Sequence, residues 1–200
     1  MMWRALRDHP HTLWGLLTLP GVVFLILWLA SGHGGAGRSA TALLLHPTGE
    51  LSARLMVVTM AISPMRHVLP GSDFWRWMRR RRRYFGVAAF GYALLHTALY
   101  LADMGSPGAV LSEVALSAIW TGWLAFLLLV PLALTSNDAM LFRLGRYWRL
   151  LQRLTYPAAL AILAHWLLIH DGAAAALVHF GLLAALQVLR LRNTLKPMET

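Results

Sequence analysis

The stretch LLQRLTYPAALAILAHWLLIHDG, residues 150–172, places a single histidine, His165, deep inside an apolar run. A bilayer core about 30 Å thick needs roughly 20 apolar residues in a helix that rises about 1.5 Å per residue. Windows of that size, bounded by charged or Gly/Pro-rich breaks, recur along the chain at about 13–30, 51–68, 84–102, 116–135, 150–169 and 173–189. The 200 residues are 58% hydrophobic and 13% charged, far from the balance of an ordinary soluble domain. The expected fold is all-α, one transmembrane domain over residues 1–200 built as a bundle of six membrane-spanning helices. The second window is the weakest, because Arg54 lies within it, near enough to its start to snorkel toward the headgroups, and Pro64 interrupts its end. The first run, followed by SGHGGAG, has the outline of a signal peptide, but at about 18 residues it exceeds the usual ~7–15-residue apolar core of one. Cysteine is absent, which excludes disulfides, thiolate metal sites and redox dithiols.

Charge orients the bundle. All but two of the 18 basic residues fall in four places: Arg4 and Arg7; Arg66, Arg76 and the run Arg79 to Arg83; Arg143, Arg146, Arg149 and Arg153; and Arg190, Arg192 and Lys196. With six spans these places share one side, so the positive-inside rule makes both termini cytoplasmic. Arg38, Glu50, Asp103, Glu113 and Asp171 then lie in the external loops. A net charge of +10 beside spans reads as orientation and lipid-headgroup contact, not as a nucleic-acid surface. Trp3, Trp14, Trp75, Trp77, Trp120, Trp148 and Trp166 lie near expected span ends, as an interfacial belt does.

Nine histidines are the candidate carriers of chemistry. Three fall at membrane depth: His96, His165 and His179. His96 follows Arg83 by 13 residues and His165 follows Arg153 by 12, which places them about 20 Å and about 18 Å above the cytoplasmic edge. From the other side Asp103 and Asp171 follow at seven and six residues, about 10 Å in each case. Two imidazoles at equal height on spans running in the same direction can approach a planar group from opposite faces. Zinc wants more ligands than this depth offers, whereas haem iron takes two axial imidazoles across a plane. Ala89, Gly91, Tyr92 and Ala93 precede His96, and Ala158, Ala161 and Ala164 precede His165; such small residues admit a flat ligand or, more commonly, a packed helix. His179 reads as a helix-packing hydrogen bond. Pro157 is expected to kink the fifth span in its first turns.

The segments HPTGE (46–50), AISPMR (61–66), YFGVAAFGYALLHTALYL (84–101) and LLLVPLALTSNDAMLFRLGRYWRLLQRLTYPAALAILAHW (127–166) resemble the MsrQ (YedZ) family, within the ferric-reductase-like transmembrane group, over about residues 46–170. The resemblance implies a b-type cytochrome, the haem-binding membrane subunit of a bacterial methionine sulfoxide reductase system. It implies electrons taken from a cytoplasmic flavin reductase or the quinone pool and passed to a periplasmic, MsrP-like molybdopterin subunit that reduces methionine sulfoxide in oxidised envelope proteins. It also implies an association with FMN, and haem iron ligation by His96 and His165. Family members usually have histidine where this chain has Gln152, so one haem b is expected, in the outer half, with Gln152, Arg149 and Arg153 free to hold a flavin or quinone at the inner end. His46, in the loop before the second span, His170, beyond the fifth, and Tyr92 are further candidates for cofactor or propionate contacts. The chain is then an electron-transfer subunit, not the one that reduces the sulfoxide. Rival readings are a ferric-reductase-like or quinol-linked cytochrome b with another acceptor, a purely structural assembly factor, and a His-dependent proton channel or transporter. The last is opposed by the absence of an internal repeat and of mid-depth acidic residues.

Overall fold

In the computed structural model, which describes residues 10–31, 35–169 and 173–195, helices and short links make up the whole of the described chain. The long helices are α1 (Pro10–Ala30), α2 (Gly35–Val68), α3 (Asp73–Met104), α5 (Ser117–Leu134), α8 (Thr155–Leu168) and α9 (Ala173–Leu195). Short helices α4 (Pro107–Glu113), α6 (Asp138–Leu144) and α7 (Arg146–Leu151) form the corners, and a 3-10 turn, Gln152–Leu154, leads into α8. Among the described residues four helical stretches are long and apolar enough to cross a membrane: His11–Ala30, Asp73–Met104, Ser117–Leu134 and Ala173–Asn193.

The surface of these helices is apolar where that of a soluble bundle would be charged. Leu19, Ile26 and Leu29 on α1, Leu127 on α5, and Leu177 and Leu182 on α9 are all more than half exposed, the arrangement expected where the surrounding solvent is lipid. Inside, small residues let helices approach closely: Ala53, Ala89, Ala125, Ala158, Ala159, Ala161 and Ala176 pack with Met56, Met60 and Leu129 in one cluster. α2 packs along α3, α8 packs on α5, and α9 closes over both α2 and α8, while α1 leans on α2 and α3. Ser52 ties the first pair, its hydroxyl donating to the carbonyl of Ala89 at 2.8 Å in a buried position.

Several helix ends follow local chemistry. Gly105, with φ 68°, ends α3 and donates its N–H to the Leu101 carbonyl, a left-handed cap that glycine adopts without Cβ strain. Asn137 caps α6 by accepting from the Met140 N–H at 2.9 Å. Pro157 cannot donate to the carbonyl four residues back, and its ring crowds that carbonyl, so the turn just before it tightens to 3-10 geometry over Gln152–Leu154.

Some expected boundaries move. α2 begins at Gly35, not near residue 51, so His46 lies within a helix and not in a loop, and Pro64 is buried within the last turns of that helix without ending it. Arg54 does not stand alone at a span end: it pairs with Glu50 at 3.0 Å on the same helix. α3 begins at Asp73, so the arginine run forms its early turns. Trp166 and Trp77, expected in the interfacial belt, are core residues at 5% and 4% exposure; the Trp166 ring packs on His179 and Phe180 of α9. His179 bonds the Ala175 carbonyl of its own helix at 2.7 Å, not a neighbouring helix.

Candidate functional site

α2, α3, α5 and α8 surround a cavity of about 250 Å³ that is mostly apolar. His96 of α3 and His165 of α8 both line it, with ring centroids 6.2 Å apart and ring planes at 76°. The equal heights expected from helix rise therefore become a facing pair. Its walls include Tyr100, Trp123, Phe126 and Trp166, and the Trp166 indole Nε1 is buried without a hydrogen-bond partner.

Each imidazole is held by one ring nitrogen. His96 Nδ1 lies 2.9 Å from the Leu45 carbonyl of α2, with the Thr48 hydroxyl at 3.5 Å. His165 Nδ1 lies 2.6 Å from the Ala118 carbonyl of α5. A carbonyl only accepts, so Nδ1 is the donating nitrogen in both rings, and in the neutral imidazole Nε2 then keeps its lone pair. Among the described residues neither Nε2 has a hydrogen-bond partner. A metal-ligating histidine shows this pattern, one N–H anchored on a carbonyl and the other nitrogen free to bond. Two imidazoles bonded to one metal through nitrogens at about 2 Å, on opposite sides, have ring centroids about 6 Å apart, which is the separation found. The donor set is two imidazoles with no carboxylate cluster, since no group of three or more His, Asp or Glu that could hold an ion occurs among the described residues. The residues present fit a haem iron with two axial histidines.

Two glycines, which sequence reasoning did not single out, complete the pair. A Cβ at Gly49 would lie 3.0 Å from Nδ1 and Cε1 of His96, and one at Gly122 would lie 2.8 Å from the same atoms of His165. Their only trace in sequence is a glycine four residues after the accepting carbonyl in each case. Glu50 was also missed as a cavity residue; it lines the cavity beside His46, which it meets at 3.5 Å.

The other candidates separate. Tyr92 does not line this cavity: its hydroxyl donates to the Leu17 carbonyl at 2.8 Å and accepts from the Gly21 N–H at 2.9 Å, fastening α3 to α1. His170 lies outside the described residues. Gln152 and Arg149 line a second cavity of about 360 Å³ toward the arginine-rich end, with Arg79, Arg80, Arg82 and Arg83, whereas Arg153 is exposed and outside it. The Gln152 amide donates to the Thr135 hydroxyl at 3.2 Å. Leu129 belongs to the walls of both cavities.

A helical membrane bundle with two facing histidines defines the class, and the family described as ferric reductase like transmembrane component matches residues 48–163. Among curated proteins, the chain is 34% identical over 188 residues to the protein-methionine-sulfoxide reductase heme-binding subunit MsrQ of Xanthomonas axonopodis pv. citri, covering 92% of this chain and 84% of that protein. It is 35% identical over 200 residues to the MsrQ of Deinococcus radiodurans, covering 94% and 95%, and 30% identical to that of Brucella anthropi, covering 94% and 85%. The chain belongs to the MsrQ family. No solved structure matches it.

Proposed function

We propose that this chain is the haem-carrying membrane subunit of a protein-methionine-sulfoxide reductase system, moving electrons outward across the bacterial inner membrane. In this reading α2 and α8 join the four long apolar helices to make six spans, with both termini on the cytoplasmic side, where the arginines of α3, α6 and α7 collect. The observation that carries the reading is the facing His96 and His165 pair, each ring anchored through Nδ1 on a carbonyl of a neighbouring helix.

A bound haem supplies a reversible one-electron carrier whose potential depends on its axial ligands and surroundings. The chain's own residues do the rest. His96 and His165 would hold the iron through Nε2, and the Leu45 and Ala118 carbonyls, which accept from Nδ1, would fix the tautomer and make these ligands more basic. Trp123, Phe126 and Ile162 exclude water and hold the site at low dielectric. His46 and Glu50 give one side of the cavity a polar edge suited to propionates or to a docked partner.

One haem is assigned, in the outer half. The lining of the inner cavity contains no histidine, and Gln152, occupied with Thr135, is a poor iron ligand. A flavin or quinone is the occupant proposed for that cavity, which Arg149 and Gln152 would hold; the donor would be a flavin reductase or quinol on the cytoplasmic side and the acceptor a periplasmic molybdopterin subunit. The test is a reduced-minus-oxidised spectrum with haem quantitation per chain, for the wild type and for His96→Ala and His165→Ala. A b-type spectrum near one haem per chain, lost in both variants, supports the reading. Full haem occupancy in either variant overturns it.

A further inference from the structure

Two distant parts of the chain hold their histidines by the same device. On α2, Leu45 presents its carbonyl to His96, and Gly49 follows four residues later; on α5, Ala118 presents its carbonyl to His165, and Gly122 follows four residues later. In an α-helix the carbonyl of residue i points along the axis toward residue i+4. A ring that bonds this carbonyl from a neighbouring helix must therefore lie against residue i+4, where a Cβ would project into it. The distances agree: a Cβ would stand 3.0 Å from the His96 ring and 2.8 Å from the His165 ring. Not every helical glycine here is in contact, since a Cβ at Gly15, Gly91 or Gly181 would meet nothing within 4 Å.

We propose that Gly49 and Gly122 are positioning residues that seat the two imidazoles, so that each Nδ1–H reaches its carbonyl and each Nε2 is aimed across the cavity. The inference rests on the haem reading given above. A methyl group at Gly122 cannot coexist with the present His165 ring, which must slide or turn away, because the atoms it meets belong to a ring confined by its own carbonyl bond. At Gly49 the contact is a little longer, so the His96 ring needs to give by only a few tenths of an ångström. Gly122→Ala is the stronger perturbation and Gly49→Ala the milder.

The experiment compares Gly49→Ala, Gly122→Ala, Gly91→Ala and Gly181→Ala with the wild type in detergent, all haem-loaded. The readouts are haem spin state, the rate of haem loss to a scavenger, and midpoint potential, with far-ultraviolet circular dichroism to follow the fold. Loss of a partner that orients a ligand typically costs 10–100-fold in metal affinity. The expected result for Gly122→Ala is haem loss faster by about that factor, with part of the low-spin signal converted to high-spin. Gly49→Ala shifts the same way by less. Both move the potential upward, because an imidazole without its carbonyl acceptor is a weaker donor to ferric iron. Gly91→Ala and Gly181→Ala match the wild type. If Gly122→Ala fails to keep its helix signal, Gly49→Ala carries the test. Wild-type spin state, haem-loss rate and potential in the folded seat variants, in a protein whose His96→Ala and His165→Ala forms do lose haem, would overturn the seats and leave the haem reading intact. Haem retained in those histidine variants overturns the haem reading itself.

Discussion

Replacing Tyr92 with phenylalanine removes one oxygen atom, and the structure states what that oxygen does. Pro20 sits inside α1 without an N–H of its own, and its ring crowds the preceding turn. At the next peptide the Tyr92 hydroxyl stands between the Gly21 N–H and the Leu17 carbonyl, the donor and acceptor of an ordinary i to i−4 bond, accepting at 2.9 Å and donating at 2.8 Å. It thereby braces the turn after Pro20 from the neighbouring helix. In Tyr92→Phe both backbone groups lose that partner. Each lost bond contributes about 0.5–1.5 kcal/mol in general and about 0.6 on average in a membrane bundle, so the pair is worth about 1–3 kcal/mol. The loss falls on α1, whose contacts are mainly with α2 and α3. The assay is reversible unfolding in mixed micelles, with amide hydrogen exchange at Gly21 as the local readout. Destabilisation by about 1 kcal/mol or more, with faster exchange at Gly21, is expected, and haem content stays unchanged because Tyr92 does not line the histidine cavity. A stability change below about 0.3 kcal/mol with unaltered exchange would refute the account of a braced helix turn.

Glu50→Gln removes a negative charge adjoining Gly49, which backs the His96 ring. The oxidised form of the haem, being more positive, loses the stabilisation, so the midpoint potential rises, by on the order of 50 mV after allowance for the Arg54 partner; an unchanged or lowered value in a redox titration contradicts this. Ser52→Ala deletes the buried bond to the Ala89 carbonyl where α2 meets α3. The expected cost is about 0.5–1.5 kcal/mol in the same unfolding assay, and a neutral outcome removes Ser52 as a tie between those helices. Under the proposed haem reading, His96→Ala and His165→Ala are expected to abolish low-spin haem, each alone.

Run length and charge placement were legible because they are one-dimensional. Four of the six apolar windows correspond to α1, the apolar part of α3, α5 and α9, and the weak second window proved to be part of a longer helix that takes in His46. A continuous helix through Pro47 and Pro64 is not forecast by local propensity; packing along α3 and under α9 sustains it. Trp166 was read as interfacial from its position near a span end, and burial against α9 places it in the core instead.

The pairing of His96 with His165 was open to arithmetic, since helix rise converts residue number into depth without knowledge of any neighbour. Rotation about each helix axis is another matter. Which carbonyl an imidazole reaches, whether Gly49 and Gly122 lie beneath the rings, and why Tyr92 turns to α1 when it could have faced the cavity depend on contacts between residues 43 to 75 positions apart. Sequence alone determined that the chain is a helical membrane protein and that His96 and His165 stand at matching positions along their helices, because both follow from hydrophobic transfer and a constant rise per residue. The seats, the tautomers and the polar edge of the cavity came from tertiary packing, because side-chain direction around a helix acquires meaning only when another helix stands against it.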